Sequence, residues 1–412
     1  MKRPSRRAFL GLVGAGGAAL AGARWLTPRL MRPGPVRPIE SLSPAARALV
    51  ESAFAGVDAS RMWDCHAHLV GIGTGGTGCA VSPEMQSHLH PIKRFQFDVY
   101  MAAAGVRDLD RADQDYLERL LALHRGANPA GRLLLMAFDR VVGEDGVERP
   151  DRSTFYTPNE LVLRIARQEP DVEACVSIHP YRPDALQLLD AAFEAGARAV
   201  KWLPNAMGID PAARRCDGFY RRLAELGLPL ITHTGREMAV DAAGQELGNP
   251  LRLRRPLDHG VRVVAAHCAS LGSALDLDAE EDEREELACF DLFMRLMSEK
   301  QYEQNLFGEI SALTQVNRSG RPLRELLIAE ELHPRLVNGS DYPLPAIGLL
   351  FSPRYLDYRG YIDADERRAL GELFDANPLL FDFVAKRCLE VESEGRVHRF
   401  APVVFETGRL FA

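Results

Sequence analysis

The sequence predicts a closed (β/α)8 barrel of the TIM type, with a lid-like insertion after the first strand and a short C-terminal extension. Three observations carry this expectation. Short apolar runs recur eight times, at 62–69, 132–138, 174–179, 198–203, 228–233, 261–267, 306–311 and 335–341. Helix-period segments lie between most of them, and strands alternating with helices build parallel βαβ units. Several of the runs end on histidine, lysine or aspartate, at the strand ends where barrel enzymes keep their active sites.

The elements follow in order. Lys2, Arg3, Arg6 and Arg7 form a basic region ahead of the apolar, Gly/Ala-rich stretch Ala8 to Ala21. Ala21-Gly22-Ala23 fits a small-residue cleavage site. Ser5-Arg6-Arg7-Ala8-Phe9-Leu10 looks like a twin-arginine export signal. The expectation is a signal peptide over 1–23, recognised by the twin-arginine export machinery, and a periplasmic or secreted protein. The apolar run is too short and glycine-rich for a stable membrane span. Residues 24–60 read as a Pro- and Arg-rich linker with one helix from Pro44 to about Ala55, 61–390 as the barrel, and 391–412 as the extension.

Within the barrel, helix boundaries are written in the chain. Thr157-Pro158-Asn159-Glu160 reads as a capping box with proline at the first helical position. Pro183 to Ala195 has Leu186, Leu189, Ala192 and Phe193 at helical spacing, and Gly196 ends it. The connection 71–107 is longer than a barrel needs and starts with five glycines between Gly71 and Gly78. It follows the first strand, so it is expected over the barrel mouth as a lid. Phosphate cradling by those glycines is disfavoured, because no Gly-Lys-Ser/Thr follows. The tail is expected to carry a small β element around Val403–Phe405, on the outside of the barrel.

Composition sets outer limits. The 412 residues are 46% hydrophobic and 26% charged, enough for a large core. A net charge of −7 argues against a nucleic-acid partner, which wants a basic face. Seven cysteines is an odd count with no Cys-x-x-Cys spacing, and no disulfide framework is expected.

The chemistry starts at Trp63-Asp64-Cys65-His66-Ala67-His68. Residues two apart on a strand point the same way. His66 and His68 are therefore expected to face the barrel interior, and Cys65 and Ala67 the helices. By itself the pair is as consistent with core histidines bonded to carbonyls. Later runs add Lys201 in Val200-Lys201-Trp202, His233 after Ile231-Thr232, His267 after Ala265-Ala266 and Asp341 after Gly339-Ser340. Buried polar groups without partners are costly, so four strand ends carrying such residues point to a shared cation. Three or four imidazoles with a carboxylate suit zinc or another borderline divalent ion. His179, Glu309 and Arg236 are the candidates for touching substrate. Arg236 leads for an anionic group, because a guanidinium matches carboxylate or phosphate as a fork. Asp139, Arg140, Tyr181 and Glu237 are weaker candidates at the same rim.

His-x-His on the first strand, His on the fifth, His on the sixth and Asp on the eighth resembles the amidohydrolase superfamily, closest to its amidohydrolase-2 branch. The resemblance covers about 60–390, and Asn377-Pro378-Leu379-Leu380-Phe381 resembles the branch's last-helix segment. It implies that His66, His68, His233, His267 and Asp341 bind one or two divalent ions. Lys201 matches the fourth-strand lysine that two-metal members carboxylate into a bridging carbamate. A plain lysine paired with an acid such as Glu309 is the competing reading.

The function expected is a metal-dependent hydrolase acting on an amide, ester, lactone or phosphoester bond of a small molecule. A metal-activated water attacks, and Asp341 takes its proton and passes it to the leaving group. A one-metal decarboxylase or other lyase of the same superfamily is the alternative, and a non-catalytic periplasmic binding barrel is a third. Substrate identity is not written in the chain, since loops at the mouth set it.

Overall fold

The computed structural model describes residues 33–411. The expected signal peptide lies outside the described residues. So does the start of the linker that follows it, residues 24–32.

Eight parallel strands form one sheet in sequential order. They are β1 (Trp63–His68), β2 (Arg132–Met136), β3 (Val172–Val176), β4 (Ala197–Trp202), β5 (Leu230–His233), β6 (Val263–Ala266), β7 (Leu306–Glu309) and β8 (Leu336–Val337). The ring closes where the segment after β8 meets β1. There Cys65 N–H donates to Asn338 O at 3.1 Å, His68 N–H to Tyr342 O at 3.0 Å, and Ala67 bridges to Tyr342. All eight expected strands are present, and the fold is the (β/α)8 barrel.

The helices lie outside the ring. α1 (Pro44–Phe54) precedes β1 and is capped by Ser43, whose side chain accepts from Ala46 N–H. α2 (Pro91–Ala103) and α3 (Ala112–Arg125) follow β1. α4 (Asn159–Gln168), α5 (Ala185–Glu194) and α6 (Asp217–Leu226) follow β2, β3 and β4. A short turn of helix, Arg254–Asp258, takes this place after β5. α7 (Cys289–Ser298) and α8 (Arg321–Ile328) follow β6 and β7, and α9 (Ala364–Ala376) and α10 (Pro378–Cys388) complete the circuit. No helix among the described residues is long and apolar enough to cross a membrane.

Two large hydrophobic cores result, with a small third cluster around Ala103, Ala346 and Ile347. The larger fills the space between strands and helices. The smaller takes at least one side chain from every strand, among them Cys65, Leu134, Cys175, Ala199, Ile231, Val264, Phe307 and Val337, so it is the barrel interior. Leu410 and Phe411 join it, and Phe411 stacks on Trp63 with ring centroids 4.9 Å apart. The tail therefore packs against the interior core. Residues Pro402–Val404 form a turn of 3-10 helix instead of the expected β element, while the extension's hairpin is Val391–Ser393 with Arg396–His398.

Two sequence expectations fail for local reasons. Cys65 packs inside the barrel, not against the helices, because the pairing of β1 with β2 slips between Asp64 and Ala67. A bulge resets the alternation of faces, so Cys65 sits in the interior core and Ala67 in the outer one. The capping box at α4 does not form either: Thr157 Oγ1 donates to Leu69 O at 2.6 Å, and the helix has no side-chain cap.

The 71–107 insertion covers part of the mouth. Its glycine-rich start folds around Asp113, whose carboxylate accepts from Ile72 N–H at 2.7 Å, Gly73 N–H at 3.1 Å and the Thr74 and Thr77 hydroxyls. Those backbone donors answer an internal acid, not a phosphate. α2 is tied to the loop after β5: Gln96 Nε2 and Tyr100 O–H both donate to Ala239 O, at 2.7 and 2.8 Å. All seven cysteines are free and buried.

Candidate active site

A cavity of about 250 Å³ opens at the carboxyl end of the strands, lined by His66, His68, Lys201, His233, His267 and Asp341 among others. The barrel thus brings together residues up to 275 positions apart, each at or just past a strand end. His66 and His68 end β1 and His233 ends β5. His267 and Asp341 lie beyond their strands and have left-handed backbones, φ 58° and 61°. Such angles cost a non-glycine residue about 1–3 kcal/mol and persist only where the surroundings hold them. Asp341 is held by its N–H, which donates to His66 O at 2.6 Å.

The ring nitrogens are set from behind. His66 Nδ1 lies 3.1 Å from Glu309 Oε2, so Nδ1–H donates and Nε2 keeps its lone pair toward the cavity. His267 Nδ1 lies 2.8 Å from Ser311 Oγ, and that hydroxyl reaches Glu309 Oε2 at 2.6 Å. His233 Nδ1 lies 3.3 Å from Glu237 Oε2. One buried acid thus serves two imidazoles and a second serves the third. This is the support that metal-binding histidines need to fix tautomer and ring orientation.

What faces the cavity is a set of lone pairs and charges crowded together. His66 Nε2 is 3.2 Å from His68 Nε2, 3.0 Å from Lys201 Nζ and 3.5 Å from Asp341 Oδ1. His68 Nε2 is 3.3 Å from the same oxygen. His66, His267 and Asp341 each offer a ligand atom, all within 4.8 Å of one another. His233 Nε2 is buried without a hydrogen-bond partner. A buried orphan nitrogen beside two imidazoles and a carboxylate fits a divalent cation, which would satisfy all of them at once.

Electrostatics agree with that donor set. Burial pushes the His233 pKa down to about 4, and pushes His66 and His267 well below the usual histidine range. These rings are neutral at pH 7, as ligands must be. Burial also lowers Lys201. Asp341 lies below the usual carboxylate range: burial acts upward, but its basic neighbours His66, His68 and Lys201, with a hydrogen bond from His68, more than reverse it. The carboxylate therefore stays ionised.

The three residues expected to touch substrate are placed elsewhere. His179 is wholly buried, its Nε2 donating to Met207 O at 3.0 Å and its Nδ1 accepting from Tyr181 N–H at 3.2 Å. Both nitrogens are engaged, and the ring does not line the cavity. Glu309 has no exposed surface and stands behind the imidazoles. Arg236 is exposed and also outside the cavity lining. The guanidinium that does line it is Arg318, in the loop after β7. Neither Arg318 nor Ser311 has a periodic or motif signal, and only the closed ring brings them near His233 and His267.

The amidohydrolase family model matches residues 63–370. No curated protein matches the chain. Among solved structures, an uncharacterised TIM-barrel protein from Bordetella bronchiseptica is 16% identical over 79% of this chain and 99% of its own, with a TM-score of 0.45. A protein assigned as a 2-pyrone-4,6-dicarboxylic acid hydrolase from Pseudomonas putida is 17% identical over 78% and 97%, with a TM-score of 0.42. A 5-carboxyvanillate decarboxylase from Novosphingobium aromaticivorans, with bound manganese, is 14% identical over 79% and 96%, also with a TM-score of 0.42.

Proposed function

The chain belongs to the amidohydrolase family, and we propose that it is a metal-dependent hydrolase of a small molecule. The observation that carries the reading is the convergence of His66, His68, His233, His267 and Asp341 on one cavity wall, with His233 Nε2 left without a partner. These residues would hold the ion, and zinc suits three or four imidazoles with one carboxylate. When bound there, a divalent ion would supply a water activated from a pKa of about 15.7 toward ~7.

The chain's own groups do the rest. Asp341, ionised although buried, is the base that takes the water's proton and returns it to the leaving group. Glu309, Ser311 and Glu237 hold the imidazoles in one tautomer and orientation. Leu69, Phe138, Phe155 and Leu203 keep the chamber wall apolar, which strengthens every charge interaction inside it. Lys201 is the candidate for carboxylation. Its amine is buried, burial favours the neutral form, and its one hydrogen bond among the described residues is to His66 Nε2. A neutral amine adds to carbon dioxide, loses a proton and becomes an anionic carbamate. The export signal read in residues 1–23 would carry the folded, loaded enzyme to the periplasm.

The test is metal content with turnover. Purified full-length protein should hold one or two equivalents of divalent metal, lose ester or lactone hydrolysis on chelation, and regain it on adding zinc. D341N should keep metal but lose turnover. Carbon-13 spectra with labelled bicarbonate should show a carbamate that is absent in K201M. A metal-free active enzyme, or turnover confined to release of carbon dioxide from a carboxylic acid, would overturn the hydrolase reading.

A further inference from the structure

Arg318 stands in the wall of the cavity and is only 7% exposed. A buried guanidinium ordinarily has a carboxylate against it. This one does not: its only side-chain hydrogen bond among the described residues runs from Nη1 to the neutral Ser270 Oγ, at 3.0 Å. Nε is buried without a partner. No acceptor among the described residues pairs with Nε or Nη2, the side that grips a carboxylate with two parallel bonds. The nearby acids whose fields reach it are Glu237, Asp341 and Glu309. None of them forms an ion pair with it within 4 Å, and two of them already serve histidines.

The side chain is not adrift. Its backbone sits in a turn where Arg318 N–H and Ser319 N–H both donate to Gln315 O at 2.9 Å. Val316 N–H donates to Leu350 O at 3.0 Å, and Tyr361 O–H donates to Ser319 O at 3.2 Å. Arg318 thus stands on a fixed loop in the wall of a chamber whose lining includes the apolar side chains of Phe138, Phe155, Leu203, Leu271 and Leu344. Lys201, the other basic side chain in the lining, faces His66.

We propose that Arg318 is a specificity-determining residue, and that the substrate carries a carboxylate on an apolar body, the carboxylate pairing with the Nε–Nη2 edge while the scissile bond lies at the histidine cluster. A carboxylate fits better than a phosphate because one planar fork balances one planar, singly charged group. A phosphate dianion carries a second charge that one guanidinium does not balance. The proposal rests on the hydrolase reading of the same cavity.

The test uses metal-loaded full-length protein and two esters, mono(4-nitrophenyl) adipate and its neutral methyl ester. Wild type should prefer the charged ester in kcat/KM by at least about tenfold, mainly through KM, as a charge-assisted pair provides. R318M should bring that ratio close to one, and R318K should fall between, because an ammonium keeps the charge and loses the fork. An unchanged ratio in R318M, including an equal loss for both esters, overturns the proposal. Should wild type hydrolyse neither ester, the hydrolase reading fails and the anchor is still decided by calorimetry. Monoethyl adipate should bind at least about tenfold more weakly to R318M than to wild type. Equal affinity, with both proteins shown folded by thermal melting, overturns it.

Discussion

Glu309 Oε2 lies 3.1 Å from Nδ1 of His66 and so decides which nitrogen of that ring meets the cavity. The same oxygen accepts from Ser311 O–H at 2.6 Å, and through that hydroxyl the acid reaches His267. Replacing Glu309 with glutamine removes the charge and leaves the shape. E309Q should weaken metal binding about 10–100-fold, the usual effect of losing a partner behind a ligand. Competition against a chromophoric chelator measures it, and an affinity equal to wild type would rule out this role.

Gly339 lies where a side chain cannot. A Cβ built on it comes 2.4 Å from His66 Cβ and 3.0 Å from His66 N, both on a fixed strand. G339A must therefore move the ring or the strand. The expected result is a folded protein destabilised by about 1–3 kcal/mol, with turnover down by roughly 10²-fold, since small misplacements of a reacting group cost that much. Melting curves and kcat together check it. A melting loss with wild-type kcat would mean that the ring's position is not critical.

His179 makes stability depend on pH. Burial holds its pKa down at about 4, against an ordinary value of 6.5, so the unfolded chain binds the proton and the folded one does not. The stability from keeping this ring neutral is present above pH 6.5 and is lost as pH falls through 4, amounting to about 3 kcal/mol. Asp139, pushed up to about 6 by burial, works the other way. H179Q isolates the histidine: its unfolding free energy should fall less steeply between pH 6.5 and 4 than that of wild type. Parallel urea titrations at those pH values give both slopes, and equal slopes would refute the assignment.

Beneath the site, Lys386 Nζ is 2.6 Å from Asp382 Oδ2 and 2.7 Å from Gly339 O, and both side chains are almost fully buried. Burial raises Asp382 to about 7, against the pull of Lys386. K386M leaves the acid alone in the interior and should cost about 3–5 kcal/mol. The double variant D382L/K386M removes both charges and should recover most of that loss. Chemical denaturation of the three proteins decides it, and a double variant no more stable than K386M would show that the lysine's bond to Gly339 is what matters.

The chain by itself determined the eight strands, because each is a local apolar run bounded by local stop signals. It also determined which histidines, lysine and aspartate stand at the strand ends, because such residues at the end of an apolar run need no knowledge of neighbours to be noticed. Tertiary structure alone decided which face Cys65 takes, since the slip between Asp64 and Ala67 is a property of the pairing with β2 and not of β1. It decided that Thr157 bonds Leu69 rather than capping α4, and that His179 and Glu309 support the fold and the imidazoles instead of lining the cavity. It put Arg318 into the wall in place of Arg236. Periodicity reports what a residue does to its own strand or helix. The partner of a buried polar group comes from a distant segment, and only closing the ring fixes which one arrives.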